Sequence, residues 1–421
     1  MTRDMKDSGI EWIGYTPEDW NFIRGKYIFE QRCEKGNRAN LQLLSPTQKY
    51  GVIPQTHYEE ITGMRAVKLN EQIDLNQLKT IHKGDYCISL RSFQGGFEYS
   101  EYEGVVSPAY QVFYKKINVV DGFYKYLFKD GSFINKMNSY TMSLRDGKNI
   151  AFSDFGNTYL PFPPIDEQNK IAAYLDNKCG EIDAITAKIQ EQINTLEEYK
   201  KSVISEAVTK GLNPNAEMKD SGIEWIGKIP VNWEIEKGKY CLSYLQKPVR
   251  QTDEVITCFR DGEVTLRKNR REDGFTMSDK EIGYQGIDVG DLIVHGMDGF
   301  AGAIGISDSR GKASPVLNVL DTNQNKSYIM YYLRSMAYNG VFIALATGIR
   351  VRTCDTNWGK LKELPYPLPS KKEQNRIVDY INEQLSQTND IIADKQKQIE
   401  TLEEYKKTLI YEYVTGKKEV A

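Results

Sequence analysis

A chain of 421 residues is too long for one ordinary core and fits two to four compact units. Hydrophobic content of 40% supports globular packing, and no apolar run approaches the roughly 18 residues of a membrane-crossing helix, which argues against a helical membrane protein. Six scattered cysteines (33, 87, 179, 241, 258, 354) without a C-x-x-C pair argue against a disulfide framework or zinc site, and a net charge of −3 excludes a uniformly basic surface.

In chain order, the first feature is the block MKDSGIEWIG at Met5–Gly14. Short β-branched runs set between glycines then predict strands over 85–90, 104–108 and 111–114, and a short helix over 122–128. Past Pro161, Pro163 and Pro164, apolar residues fall at Ile171, Tyr174, Leu175, Ile182, Ile185, Ile189, Ile193, Leu196, Tyr199, Val203 and Ile204. Steps of three and four predict one long amphipathic helix, with Asp166 placed to N-cap it and Gly211 to stop it. The block MKDSGIEWIG returns without a mismatch at Met218–Gly227. A second stretch of strand-and-turn texture follows, with a strand over 291–295 and a helix over 326–336. After Pro365 and Pro367 the helical pattern recurs at Ile377, Tyr380, Ile381, Leu385, Ile391, Ile399, Leu402, Tyr405, Leu409 and Ile410, largely at an offset of 206 from the first. Ser370 with Glu373 reads as a capping box and Gly416 as a stop.

The heptapeptide TLEEYKK also occurs twice, at 195–201 and 401–407. The chain is therefore a duplication of a two-part unit, an α+β half followed by a helical half. The expected boundaries are 1–164, 165–212, 213–369 and 370–421. A helix of about 40 residues is about 60 Å long at ~1.5 Å per residue, and its narrow apolar stripe needs a partner. Pairing the two as a coiled coil sets Ile185, Ile189, Ile193, Leu196, Tyr199 and Val203 against Ile391, Ile399, Leu402, Tyr405 and Leu409. Lys395 and Thr388 stand where the first helix has Ile189 and Ile182, so that seam is locally polar. Two α+β halves with a shared frame and divergent surfaces point to two recognition modules reading two different things.

No catalytic signature is present. There is no Walker A loop; the glycines at 296, 299, 302 and 305 fit turns and close packing. Phe162-Pro-Pro-Ile165 lacks the polar group an amino-methyltransferase motif needs, and His57, His82 and His295 stand apart from any Cys or carboxylate cluster. Neither a cofactor nor a metal site is expected. The helical segments (166–210 and 370–418) hold 15 of the 55 bases and 18 of the 58 acids, so the remainder carries 40 of each. Local basic clusters remain: Arg267, Lys268, Asn269, Arg270 and Arg271; Arg350 and Arg352; and Arg145, Lys148 and Asn149, with Arg65, Lys68 and Arg91 as further candidates. Arg and Lys can pair with guanine or phosphate and Asn with adenine, whereas the plain reading of each cluster is a solvated loop.

Three features recur in order in both halves. They are Ser-Gly-Ile-Glu-Trp-Ile-Gly followed by Pro and Trp (Ser8–Trp20, Ser221–Trp233), Pro-x-Pro with Glu-Gln-x-x-Ile leading each helix (Pro161, Pro163, Glu167, Gln168, Ile171; Pro365, Pro367, Glu373, Gln374, Ile377), and Leu-Glu-x-Tyr-Lys. In these the chain resembles the specificity subunit of type I restriction-modification systems, over essentially its whole length. The resemblance implies two target recognition domains of mixed α/β structure, separated by two long antiparallel helices that form a coiled coil and act as a ruler. Each domain would read one half of a bipartite site in double-stranded DNA. Two methylation subunits would dock on the chain, restriction subunits would join the larger complex, and S-adenosylmethionine, ATP and Mg would be bound by those partners. The setting would be cytoplasmic, with no membrane contact. Two other readings are a fused nuclease or methyltransferase, for which the chain leaves no room, and a non-catalytic coiled-coil scaffold that binds proteins only.

Overall fold

The computed structural model describes residues 3–36, 41–64, 75–88, 96–140, 150–270, 281–345 and 356–420. The chain divides into two compact units: residues 1–189 with 397–421, and residues 190–396. Each unit combines one α+β half with parts of both long helices.

Unit 1 opens with the hairpin β1 (Met5–Asp7) and β2 (Tyr15–Pro17), then β3 (Asn21–Arg24), α1 (Gly25–Ile28) and β4 (Phe29–Gln31). β5 (Leu44–Thr47), β6 (Gly51–Pro54), α2 (Gln55–Thr62), β7 (Lys79–Ile81), β8 (Tyr86–Ile88), β9 (Phe97–Tyr99), β10 (Gly104–Val106) and β11 (Gln111–Lys115) follow. α3 (Asp121–Leu127), α4 (Gly131–Ser139), α5 (Phe152–Asn157) and β12 (Tyr159–Phe162) lead into the long helix α6 (Ile165–Lys210). The main sheet has the order β4-β11-β8-β9, entirely antiparallel, and β12 returns to pair with β3. The predicted strands at 85–90, 104–108 and 111–114 and the helix at 122–128 appear as β8, β10, β11 and α3; Ser89 and Leu90 lie outside the described residues.

Unit 2 repeats the plan with β13 (Met218–Asp220), β14 (Lys228–Pro230), β15 (Glu234–Lys237), α7 (Gly238–Cys241) and β16 (Leu242–Tyr244). β17 (Ile256–Cys258), β18 (Val264–Leu266), β19 (Gln285–Ile287), β20 (Leu292–His295), β21 (Ile304–Ile306), β22 (Gly311–Ala313) and β23 (Leu317–Thr322) come next. α8 (Lys326–Tyr338), α9 (Val341–Ala344), α10 (Trp358–Leu361) and β24 (Pro365–Leu368) then lead to α11 (Lys371–Val414). The sheet order β16-β23-β20-β21 and the pair β15-β24 match unit 1 strand for strand.

The cores differ in chemistry under the same plan. Unit 1 packs Phe29, Phe97, Phe113, Phe128, Phe133 and Phe155 around Tyr86, which stacks on Phe113 at 5.3 Å. Unit 2 uses tyrosines, and each buried hydroxyl finds a carbonyl: Tyr328 donates to Pro367 O at 2.8 Å, Tyr332 to Pro365 O at 2.7 Å and Tyr366 to Leu361 O at 3.2 Å. A buried hydroxyl left unbonded would cost about 1–3 kcal/mol, so these tyrosines tie the core to the proline strand.

Within each unit the long helices pair antiparallel, since rising numbers along α6 meet falling numbers along α11. In unit 1, Tyr174 packs on Tyr413 with ring centroids 4.5 Å apart and Asp183 pairs with Lys406 at 2.6 Å. In unit 2, Lys395 donates to Gln192 Oε1 at 2.6 Å and Tyr199 to Gln384 Oε1 at 3.2 Å. Two of the expected helix signals change. α6 begins at Ile165, so Asp166 sits inside the first turn rather than at the cap. Ser370 does cap α11, accepting the Glu373 N–H at 3.3 Å, but the Glu373 carboxylate turns away to a tryptophan, leaving half a capping box.

Candidate nucleic-acid interface

The repeated letters of the two halves assemble into one clamp per unit. In unit 1 the indole of Trp20, fully buried, donates to Glu167 Oε2 at 2.9 Å. Arg3 pairs with the same carboxylate. Buried Gln168 accepts the Val120 N–H at 3.0 Å, just ahead of α3, and donates to Pro163 O at 2.8 Å. In unit 2, Trp233 donates to Glu373 Oε1 at 3.1 Å, and Gln374 accepts the Asn325 N–H at 2.9 Å ahead of α8 while donating to Pro369 O at 2.9 Å. The stop glycines complete each clamp. Gly416 (φ +73°) lies so close to the frame that a Cβ would fall 3.1 Å from Trp20, and at Gly211 (φ +72°) it would fall 3.2 Å from Trp233. Each α+β half is thereby tied to the start of one long helix and the end of the other. The sequence shows Trp, Glu and Gln as repeated letters, but nothing in it says that they bond one another.

Of the candidate DNA contacts, Arg267, Lys268, Asn269 and Arg270 are described. They form the turn after the β17–β18 hairpin and hold one another and the hairpin in place. Lys268 pairs with Glu254 at 2.6 Å. Arg270 lies over the Phe259 ring at 4.4 Å and pairs with Asp261, and with Glu263 at 3.1 Å. The Asp261 hydrogen bond holds the Arg270 pKa above its ordinary value. Asn269 donates to Thr265 Oγ1 at 2.9 Å and Arg267 to Thr257 Oγ1 at 3.4 Å. Asp261 and Glu263, which lie in the same stretch of sequence, and Glu254 stand against the cluster. Arg65, Lys68, Arg91, Arg145, Lys148, Asn149, Arg271, Arg350 and Arg352 lie outside the described residues. His295 is structural: its Nδ1 accepts the N–H groups of Met297 at 3.2 Å and Asp298 at 3.0 Å, and burial lowers its pKa.

Beside α4 and α5, unit 1 carries a cleft of about 590 Å³ lined by the frame residues Gly9 to Trp12 and by Lys136, Tyr140 and Tyr159 among others. Its walls combine amide, hydroxyl and aromatic groups with one cation, Lys136, and one carboxylate, Glu11; Arg24 lies over the lining Tyr159 at 5.1 Å. These groups suit a polar ligand surface.

On the helices, the seam follows a strict alternation of three and four. Along α11 the inward positions are Ile381, Leu385, Thr388, Ile392, Lys395, Ile399, Leu402, Lys406 and Leu409. Of the expected seam residues, Ile193, Val203 and Leu409 are buried, and Ile189, Leu196, Ile399 and Leu402 are half-buried. Ile185, Tyr199, Ile391 and Tyr405 are instead exposed, at 47%, 46%, 46% and 55%. The polar positions flagged in the sequence belong inside: Thr388 is buried with its hydroxyl on Gln384 O at 2.7 Å, and Lys395 reaches Gln192. A heptad tolerates such residues where they find a partner, and moving the seam by one residue to bury Ile391 would expose Ile392.

Residues 17–195 match the family profile described as Type I restriction modification DNA specificity domain. Over 229 residues the chain is 27% identical to the Type I restriction enzyme MjaVIII specificity subunit of Methanocaldococcus jannaschii, covering 53% of this chain and 49% of that protein. Over 271 residues it is 26% identical to the Putative type I restriction enzyme MjaX specificity subunit of the same organism, covering 61% and 59%. The aligned part thus spans about half the length of these curated relatives. The fold is similar to that of a solved chain from a study of the structural basis underlying complex assembly and conformational transition of the type I R-M system, with a TM-score of 0.64 at 14% identity over 95% of this chain and 98% of that one. The strand order and the Trp-Glu-Gln clamp recur in both units, and residues 17–195 are similar to the type I restriction-modification DNA specificity domain family.

Proposed function

We propose that this chain is the sequence-specific DNA-recognition subunit of a type I restriction-modification complex, in which each α+β half reads one half of a bipartite site in double-stranded DNA. The observation that carries the reading is the duplication itself: two units with one strand order and one clamp, but different loops and different cores. The chain does no chemistry; S-adenosylmethionine, ATP and Mg belong to methylation and restriction subunits, and the complex works in the cytoplasm. No helix among the described residues is long and apolar enough to cross a membrane.

The exposed apolar residues of the helices support the partner reading. In unit 1, Ile185 on α6 and Tyr405 on α11 lie within about one turn of the Asp183–Lys406 pair, and in unit 2 Tyr199 and Ile391 lie near the Lys395–Gln192 pair. Each unit therefore carries one exposed isoleucine and one exposed tyrosine on its helices, which suits two copies of one partner. Expression with the methylation subunits, followed by purification and methylome sequencing, tests the proposal. It calls for two methylation subunits per chain and adenine methylation at a bipartite motif. A stable complex that methylates no motif and shifts no genomic fragment would favour the protein-only scaffold.

A further inference from the structure

The two units share a short exposed motif outside the long repeats: Gly25-Lys26-Tyr27 in α1 and Gly238-Lys239-Tyr240 in α7. Both turns are held tightly. The Gly25 N–H donates to Thr158 O and the Gly238 N–H to Leu364 O, each at 2.9 Å. A Cβ on Gly25 would meet Phe155 O at 2.8 Å, and one on Gly238 would meet Leu361 O at 2.3 Å, so only glycine fits. The Lys-Tyr that follows is thus fixed in place, yet it adds nothing to the cores. Tyr27 is 57% and Tyr240 66% exposed, and the ammonium groups of Lys26 and Lys239 lie 5.6 Å and 5.1 Å from the neighbouring ring centroids.

The surroundings are cationic. In unit 1, Arg24 lies over Tyr159 and Lys136 over Tyr140 at 4.8 Å, while Lys26 donates to Asn157 Oδ1 at 3.1 Å. Among the described residues none of these three cations has a carboxylate partner, although Glu11 lines the adjoining cleft. In unit 2, Lys237 takes the place of Arg24 in the strand pairing, and Glu363 stands 3.1 Å from Lys237 and 4.0 Å from Lys239. The lysines also differ in their neighbour: a neutral amide faces Lys26 in unit 1, and a carboxylate faces Lys239 in unit 2.

The geometry points to Lys26 and Lys239, each with its exposed tyrosine, as a pair of duplex phosphate contacts, one per unit and independent of base sequence. The inference rests on the reading of the chain as a DNA-recognition subunit. An identical tripeptide at matching places cannot tell two half-sites apart, and what two half-sites share is the sugar–phosphate backbone. Lysine neutralises a phosphate and the tyrosine hydroxyl donates to a phosphate oxygen.

Salt-dependent binding of the complex with its methylation subunits, to the cognate duplex and to a scrambled duplex of equal length, tests this. K26A and K239A should each lower the slope of log K against log salt by about 0.9, and the double variant by about 1.8, on both duplexes alike. E363N, which removes the carboxylate facing Lys239, should tighten binding to both duplexes by about two- to fivefold. An unchanged slope in the double variant, or weaker binding in E363N, overturns the inference. So does loss of methylation subunits in the double variant with the slope intact, which would assign the turns to a protein contact. Failure of the unmodified complex to prefer its cognate duplex would instead sink the recognition reading, a result separable from any of these.

Discussion

Glu98 sits in β9 with 1% of its surface exposed, its Oε2 2.6 Å from Lys129 Nζ and its Oε1 without a hydrogen-bond partner. Burial pushes its pKa up to about 7, and Lys129 offsets only part of that. The folded chain therefore holds a proton that the unfolded chain, with an ordinary Glu, releases near pH 4.5. The stability this proton confers is full below that pH and is lost as pH rises to about 7. Unfolding free energy measured against E98Q should fall across that window and then level off; a flat difference would refute it. The clamp tryptophans offer a second test at this scale. W20F and W233F each remove a buried donor to a carboxylate and should lower stability by about 1–3 kcal/mol in urea unfolding. Trp20 and Glu167 were legible as repeated letters, but their bond was not, because 147 residues separate them and nothing local records the meeting.

At the scale of the element, the helices show where periodicity suffices and where it fails. Steps of three and four identify α6 and α11, their lengths and their glycine stops. They do not identify the seam, because Ile391 and Ile392 both satisfy the count and only contact with α6 chooses between them. The offset of 206 compounds this: it matches residues of equal history, whereas antiparallel pairing brings together residues from opposite ends. I392A should cost about 2–4 kcal/mol and I391A less than about 0.5 kcal/mol in thermal or urea unfolding. Equal costs would place the seam elsewhere. Strands were legible for a similar reason. β8, β10, β11 and β20 are buried runs bounded by turns, and their partners in the sheet were not, since pairing order depends on loops that carry no period.

For the whole molecule, the proposed function makes its sharpest prediction if the paired helices set the spacer between the half-sites. Seven residues inserted in each helix, after Ile189 and after Gln396, preserve the heptad in both and add about 10 Å at ~1.5 Å per residue. At ~3.4 Å per base pair the methylated motif should keep both half-site sequences and gain a spacer about three base pairs longer. Altered half-site sequences would contradict the division of labour between units and helices. By itself the sequence determined the duplication, the long helices and the repeated letters of the frame, because each is a repeat or a period written along the chain. Tertiary structure alone decided which residues face each other. It turned Ile185, Tyr199, Ile391 and Tyr405 outward, brought Glu254 onto Lys268, and left Lys26 with an amide where Lys239 has Glu363. Charge and exposure belong to neighbours in space, and a chain that meets itself over 200 residues away does not state who they are.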